Sequence, residues 1–131
     1  MLLHPVRVFI LDDSPQITEM LSELFSDPGY VDIVGCHDSA LTAIEEVSRL
    51  NPDVVILDLQ LKDGSGFDVL KAIRLLPHLK NAAIILFTNH ASRDLHSHAL
   101  ALGADFSLDK SKDHAKILEI IQDKVREREA P

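Results

Sequence analysis

The sequence predicts an α/β protein in which five parallel strands, each followed by a helix, form a sheet covered on both faces. Three observations carry this prediction. Val54-Val55-Ile56-Leu57 is a continuous apolar run bounded by turn residues, the pattern of a strand buried on both sides. Four further short segments of strand character recur along the chain: Val6 to Leu11, Val31 to Cys36, Ala83 to Phe87 and Asp105 to Leu108. Between them lie stretches with apolar residues at helical spacing, and regular alternation of this kind builds a parallel sheet.

Taken in order, the first strand ends in Asp12 and Asp13, and Ser14-Pro15 opens a helix with a capping residue followed by proline at the first helical position. Ile17, Leu21, Leu24 and Phe25 form its apolar stripe, with Met20 alongside, and Asp27-Pro28-Gly29 ends it. Ser39 is placed to cap the second helix, whose stripe is Ala40, Ile44, Val47 and Leu50 and whose stop is Asn51-Pro52. The third strand runs into Asp58 and then the turn Lys62-Asp63-Gly64-Ser65-Gly66. A helix with Val69, Leu70, Ile73 and Leu76 on one side follows and runs to Pro77. The fourth strand ends at Thr88. Ser92 caps a helix carrying Leu95, Ala99 and Leu102, stopped by Gly103. The fifth strand ends near Lys110, and the last helix, about Asp113 to Glu129, carries Ile117, Leu118, Ile121 and Val125.

Right-handed crossovers leave few topologies for this (βα)5 chain. The flavodoxin-like order 2-1-3-4-5 is the most economical, with its switch point between strands one and three. The 131 residues read as a single domain 1–131, with a core from about 6 to 125 and a charged tail, 126–131, that frays. No stretch approaches the about 20 apolar residues of a membrane span, and the start lacks the pattern of a signal peptide. Cys36 is the only cysteine, so it has no internal disulfide partner. It reads as a small core residue in a reducing cytoplasm. The net charge of −8 argues against nucleic acid as a direct partner, because phosphate binding needs a basic face.

In the order 2-1-3-4-5, Asp12, Asp13 and Asp58 emerge side by side at the carboxyl edge of the sheet, where ligands of open α/β sheets bind. Crowded like charges raise one another's pKa. A hard divalent cation resolves the conflict, and Mg²⁺ takes one or two carboxylates while keeping several waters. Thr88 and Lys110 join the same rim. A hydroxyl and an ammonium beside a metal and a carboxylate suit phosphoryl transfer, where positioning and charge neutralisation do most of the catalysis. Asp58 is the natural nucleophile, forming an acyl phosphate. Singly, each residue has an ordinary structural explanation; five of them at four strand ends of one edge point to a phosphoryl-accepting site.

At these residues the chain resembles the response-regulator receiver domain of two-component signalling. The resemblance runs from the Asp12-Asp13 pair through Asp58, Gly64-x-Gly66 and Thr88 to Gly103-Ala104 and Lys110. It implies that Asp58 takes phosphate from a sensor histidine kinase or phosphotransfer protein. It also implies that Asp12, Asp13 and Asp58 hold Mg²⁺ with the Gln60 carbonyl as a further ligand, and that Thr88 and Lys110 bind phosphoryl oxygens. With no output domain in this sequence, the expected consequence is binding to a separate target protein or onward relay. By the same resemblance, the last two helices offer a face for a homodimer or for the target.

Four positions depart from the family pattern. Ser107 replaces an aromatic residue, so a readout through an aromatic rotamer is not expected. Ser111 replaces a proline that usually follows a cis bond, and a trans bond is predicted here because cis without proline costs about 2.5–4 kcal/mol. Asn89 follows Thr88 where a small residue is usual, and Lys62 replaces a proline in the turn. Two other classes compete with this reading. One is a receiver-shaped interaction module that works without phosphorylation. The other is an aspartyl-nucleophile phosphohydrolase of the haloacid dehalogenase kind, against which the adjacent Asp12-Asp13 pair counts, since that class uses Asp-x-Asp. Seven histidines invite a metal site, but His96 and His98 are two apart on a helix and do not share a face. His98, near the apolar stripe, reads as partly buried. His90 reads as a surface residue, with reach to the Thr88 rim as the alternative.

Overall fold

The computed structural model describes residues 2–26, 29–89 and 92–129. One parallel sheet contains β1 (Val6–Leu11), β2 (Val31–His37), β3 (Val54–Leu57), β4 (Ala83–Thr88) and β5 (Phe106–Asp109). The strands lie in the predicted order β2-β1-β3-β4-β5. The helices are α1 (Pro15–Leu24), α2 (Ala40–Leu50), α3 (Gly66–Arg74), α4 (Arg93–Ala101) and α5 (His114–Glu129). A two-residue antiparallel ribbon, Gln60–Leu61 with Gly64–Ser65, lies between β3 and α3; the sequence reading had only a turn there.

Side chains of the sheet alternate between two cores. Val8, Ile10, Val54, Ile56, Ile85 and Phe87 pack with α1 and α5. Phe9, Leu11, Val55, Leu57, Ile84 and Leu86 pack with α2, α3 and α4. Burying one such side chain contributes about 1.5–3 kcal/mol, so the two-residue period decides which helix covers which face. β3 is apolar on both faces for this reason, as are β1 apart from Arg7 and β4 apart from Thr88.

Local rules account for most helix ends. Ser14 Oγ accepts from the Ile17 N–H at 3.4 Å, with Pro15 at the first helical position. Asn51, at φ 52°, and Gly103, at φ 111°, take the left-handed conformation that terminates α2 and follows α4. The third helix ends earlier than predicted, at Arg74, and Pro77 instead opens a single 3₁₀ turn, Pro77–Leu79. Arg74 is held there because its guanidinium staples three segments. Nε donates to the Gly103 carbonyl at 2.8 Å, and one terminal nitrogen donates to the Ala82 carbonyl at 3.0 Å. The other meets Asp105 Oδ2 at 2.8 Å.

Several expectations are corrected. The Ser39 side chain makes no capping bond to α2. The Asp63 carboxylate does so instead, accepting from the Ala40 N–H at 2.7 Å, the Leu41 N–H at 3.3 Å and the Ser39 hydroxyl at 2.6 Å. Cys36 is exposed rather than in the core, because β2 is an edge strand paired only with β1 and no residue of it is fully buried. α5 runs on through residues 126–129 and ends at Glu129. Arg128 ties this end down, donating to the carbonyls of His4 at 2.9 Å and Pro5 at 3.3 Å and pairing with Asp53 at 2.6 Å. Ala130 and Pro131 lie outside the described residues, as do Asp27 and Pro28 of the first helix stop.

Candidate functional site

The carboxyl edge of the sheet is built by backbone register. Leu11 pairs with Leu57, and the Asp58 N–H donates to the Leu11 carbonyl at 2.9 Å. The Asp12 N–H donates to the His37 carbonyl at 3.0 Å. Neighbouring strands therefore release Asp12 and Asp58 at the same height. Across β4 and β5, Thr88 pairs with Asp109, and the Lys110 N–H donates to the Thr88 carbonyl at 2.9 Å. All five predicted residues stand on this one edge. Asp12, Asp58, Thr88 and Lys110 are buried, and Asp13 is exposed.

Lys110 Nζ lies 2.7 Å from Asp12 Oδ2 and 2.9 Å from Asp58 Oδ2. Asp12 Oδ1 accepts from the Ser14 N–H at 2.8 Å, which turns the chain from β1 into α1. Burial pushes the Asp12 carboxyl above its ordinary value, and the hydrogen bond from Lys110 only partly offsets this. For Lys110, burial works against the charged form, but hydrogen bonds to Asp12 and Asp58 win and hold the ammonium above its ordinary value. Asp12, Asp13 and Asp58 each bring a carboxylate oxygen within 4.8 Å of the others. Three carboxylates against one ammonium leave a local charge of −2 on hard oxygen donors, which suits a divalent oxygen-seeking cation.

The turn that follows Asp58 is positioned by contacts the sequence did not reveal. A Cβ on Gly66 would sit 2.2 Å from the Asp58 carbonyl oxygen, so only glycine lets α3 start this close to the end of β3. The Gly66 N–H closes the turn on the Leu59 carbonyl at 2.7 Å. Asp63 pins the middle of the turn to α2, and Lys62 pairs with Asp38 at 3.0 Å. These partners lie 22 to 24 residues apart in the chain, beyond any local motif; Asp63-Gly64 reads only as a turn.

Beyond Lys110 the chain contains no cis peptide among the described residues, as Ser111 led us to expect. Phe106 is exposed and Ser107 is half-buried on the other face, so the two alternate as strand neighbours do. His96, not His98, is the partly buried histidine of α4, and its Nδ1 is hydrogen-bonded to Ser107 Oγ. His98 is exposed and meets Phe67 edge-on, with ring centres 4.8 Å apart. Helix pitch puts the two rings against different neighbours. His90 lies outside the described residues.

A doubly wound sheet with a buried carboxylate, an acidic pair, a hydroxyl and an ammonium on its carboxyl edge defines a phosphoacceptor signalling fold. Comparison with known proteins agrees. The response regulator receiver domain family matches residues 8–122, and the chain belongs to that family. It is similar to a protein-glutamate methylesterase/protein-glutamine glutaminase of Xanthomonas campestris pv. campestris, with 38% identity over 119 residues, 88% of this chain and 32% of that protein. A counterpart from Rhizobium etli is 34% identical over 76% of this chain and 28% of its own length. The chain thus spans about a third of the curated relatives it matches. Among solved structures, the signal receiver domain of NarL from Mycobacterium tuberculosis superposes with a TM-score of 0.80 at 27% identity, covering 94% of this chain and 98% of that one. The signal receiver domain of a DNA-binding response regulator from Colwellia psychrerythraea gives 0.83 at 25% identity, covering 92% of this chain and 98% of that one. The chain is a receiver of two-component phosphorylation signalling. Receivers bind Mg²⁺ at an acidic pocket and act between a phosphodonor partner and a downstream effector, and Asp12, Asp13 and Asp58 form an acidic cluster whose spacing could hold a metal ion. No helix among the described residues is long and apolar enough to cross a membrane.

Proposed function

We propose that Asp58 accepts a phosphoryl group from the phosphohistidine of a sensor kinase or phosphotransfer protein. One observation carries this reading: Lys110 Nζ bridges Asp58 and Asp12 inside a cluster of three carboxylates. An Asp58 oxygen attacks phosphorus, the P–N bond of the donor breaks, and its electron pair returns to the imidazole, which takes up a proton. Asp58 ends as an acyl phosphate. Lys110 and the Thr88 hydroxyl bind phosphoryl oxygens. Asp12, Asp13 and Asp58, with the Gln60 carbonyl, would hold Mg²⁺. Bound there, it supplies charge neutralisation for the transferring group. The fit rests on donor chemistry, all oxygen and net −2, rather than on any other metal preference.

The chain turns over no separate substrate in this reading; phosphorylation, adding about −1.5 to −2 charge, regulates its binding to a separate target or its onward relay of the phosphate. Residues 1–131 act as one receiver unit, with the last two helices as the target or homodimer face and the cytoplasm as its site of action. The test is Mg²⁺-dependent uptake of phosphate from a small phosphodonor. Wild type is labelled once per chain, and Asp58→Asn is not labelled. Uptake unaffected by that substitution moves the acceptor elsewhere, and sustained turnover of a phosphomonoester favours a hydrolase.

A further inference from the structure

Lys110 belongs to a loop that the usual proline does not stiffen, yet its side chain is held at two short distances. The backbone shows what holds it. The Asp109 N–H donates to Asp113 Oδ2 at 2.8 Å, and the Asp113 N–H donates back to the Asp109 carbonyl at 2.9 Å. These two bonds close a ring around Lys110, Ser111 and Lys112. Inside it, Asp109 Oδ1 accepts from the Ser111 N–H at 2.8 Å and from the Ser111 hydroxyl at 2.6 Å. The Lys110 N–H is itself fixed on Thr88. Amide groups before, at and after the lysine are all tied.

Both aspartates are buried, each 8% exposed. An aspartate at the start of α5 would ordinarily serve only as that helix's cap. The Asp113 oxygen instead points back to β5, and its second oxygen meets the Lys116 ammonium at 3.4 Å. The hydrogen bonds also hold both carboxyls below their ordinary value. The donors are Ser111 for Asp109 and the Asp109 N–H for Asp113, so both act as charged acceptors near neutral pH.

We infer that Asp109 and Asp113 are positioning residues for phosphoryl transfer: their reciprocal clamp across the Lys110 loop aims the Lys110 ammonium at Asp12 and Asp58. A lysine carries a long stem with large rotamer freedom. Fixing the peptides on either side limits where that stem can start, and misplacing a charge by about 1 Å costs much of its effect. This inference rests on the phosphoacceptor reading for its link to activity, but the aim of Lys110 is measurable without phosphate.

The first measurement is amine labelling of the full chain by an acylating reagent, read lysine by lysine by mass spectrometry. Lys110 is protected in wild type. In Asp113→Ala its labelling rises about fivefold relative to Lys71 and Lys80, the scale of one lost hydrogen bond. In Asp113→Asn, which keeps an acceptor oxygen, protection returns, and Asp109→Asn behaves likewise. Unchanged Lys110 labelling in Asp113→Ala overturns the inference, as does equal deprotection by Asn and Ala. The second measurement is a double-mutant cycle on phosphoryl uptake. Asp113→Ala slows uptake about fivefold alone but less than about twofold in a Lys110→Ala background. Fully multiplicative effects overturn the positioning role. Failure of wild type to take up phosphate sinks the phosphoacceptor reading instead, and the labelling result still decides the clamp. Circular-dichroism melts confirm that each variant is folded.

Discussion

His96 on α4 and Ser107 on β5 are joined side chain to side chain, imidazole Nδ1 to hydroxyl. Ser107 stands at the position where the family resemblance implies an aromatic residue. The bond matters because α4 has little else: Ala99 is its one fully buried residue, with Leu95 and Leu102 packed only partly. α4 begins at Arg93, five residues after Thr88.

Removing that bond should loosen α4 without unfolding the protein. In Ser107→Ala, amide exchange across 93–101 is expected to rise several-fold, equivalent to about 1 kcal/mol of local stability. The β1 and β3 amides should keep wild-type rates. Hydrogen-exchange mass spectrometry checks this, and unchanged exchange in α4 contradicts it.

Gly66→Ala should be among the most damaging single changes in the chain. The new Cβ meets the Asp58 carbonyl at 2.2 Å and Leu57 at 2.8 Å, so either α3 or the acceptor strand must move. A loss above about 2 kcal/mol is expected, with uptake at Asp58 falling alongside. Gly64→Ala is the milder comparison, since its Cβ finds only Ala40 at 3.1 Å and needs a shift of a few tenths of an ångström. Chemical denaturation of the two variants separates the cases.

Asp63 gives a pH dependence of definite sign. The Ser39 hydroxyl and the Ala40 N–H hold its carboxyl below the ordinary 3.8. The unfolded chain therefore takes up the proton first on acidification. The stabilisation is complete above that ordinary value and is lost as pH falls through the lower folded one. Denaturation midpoints at pH 6 and pH 3 should differ less in Asp63→Asn than in wild type, because Asn no longer titrates. Asp12 works in the other direction, since burial raises its carboxyl and acid relieves that cost.

Lys110→Met leaves the Asp12 and Asp58 carboxylates, only 3% and 8% exposed at the side chain, without their ammonium. Removing one partner of a buried ion pair costs about 3–5 kcal/mol. Mg²⁺ should recover more of this in the variant than it adds to wild type, because it meets a site with one more negative charge. Thermal melts with and without Mg²⁺ test it; an equal shift in both proteins argues against the cation sitting beside Lys110.

The strand order and the five rim residues were legible in the sequence because they follow from short-range patterns. Apolar runs mark buried strands, and residues just past them must reach the carboxyl edge. Gly103 and Asn51 announced their stops for the same reason. What stayed hidden depends on which distant surfaces meet. Asp63 caps α2 across a gap that no capping motif spans, and Ser39 looked sufficient until a stronger acceptor took its place. Cys36 resembled a core residue because a free thiol is usually buried, although the order 2-1-3-4-5 already put β2 at the sheet edge. His98 sat closer to the apolar stripe than His96, but the pairing with Ser107 is set by how α4 lies on β5.

The Arg128 anchor has a consequence for how the molecule can be handled. Its partners, His4, Pro5 and Asp53, all precede strands on the amino-terminal floor of the sheet, while the acids stand at the opposite lip. The 16 residues of α5, at about 1.5 Å each, carry the chain from one pole to the other. A fluorophore or purification handle grafted beyond Glu129 would leave from the floor, clear of any donor arriving from above.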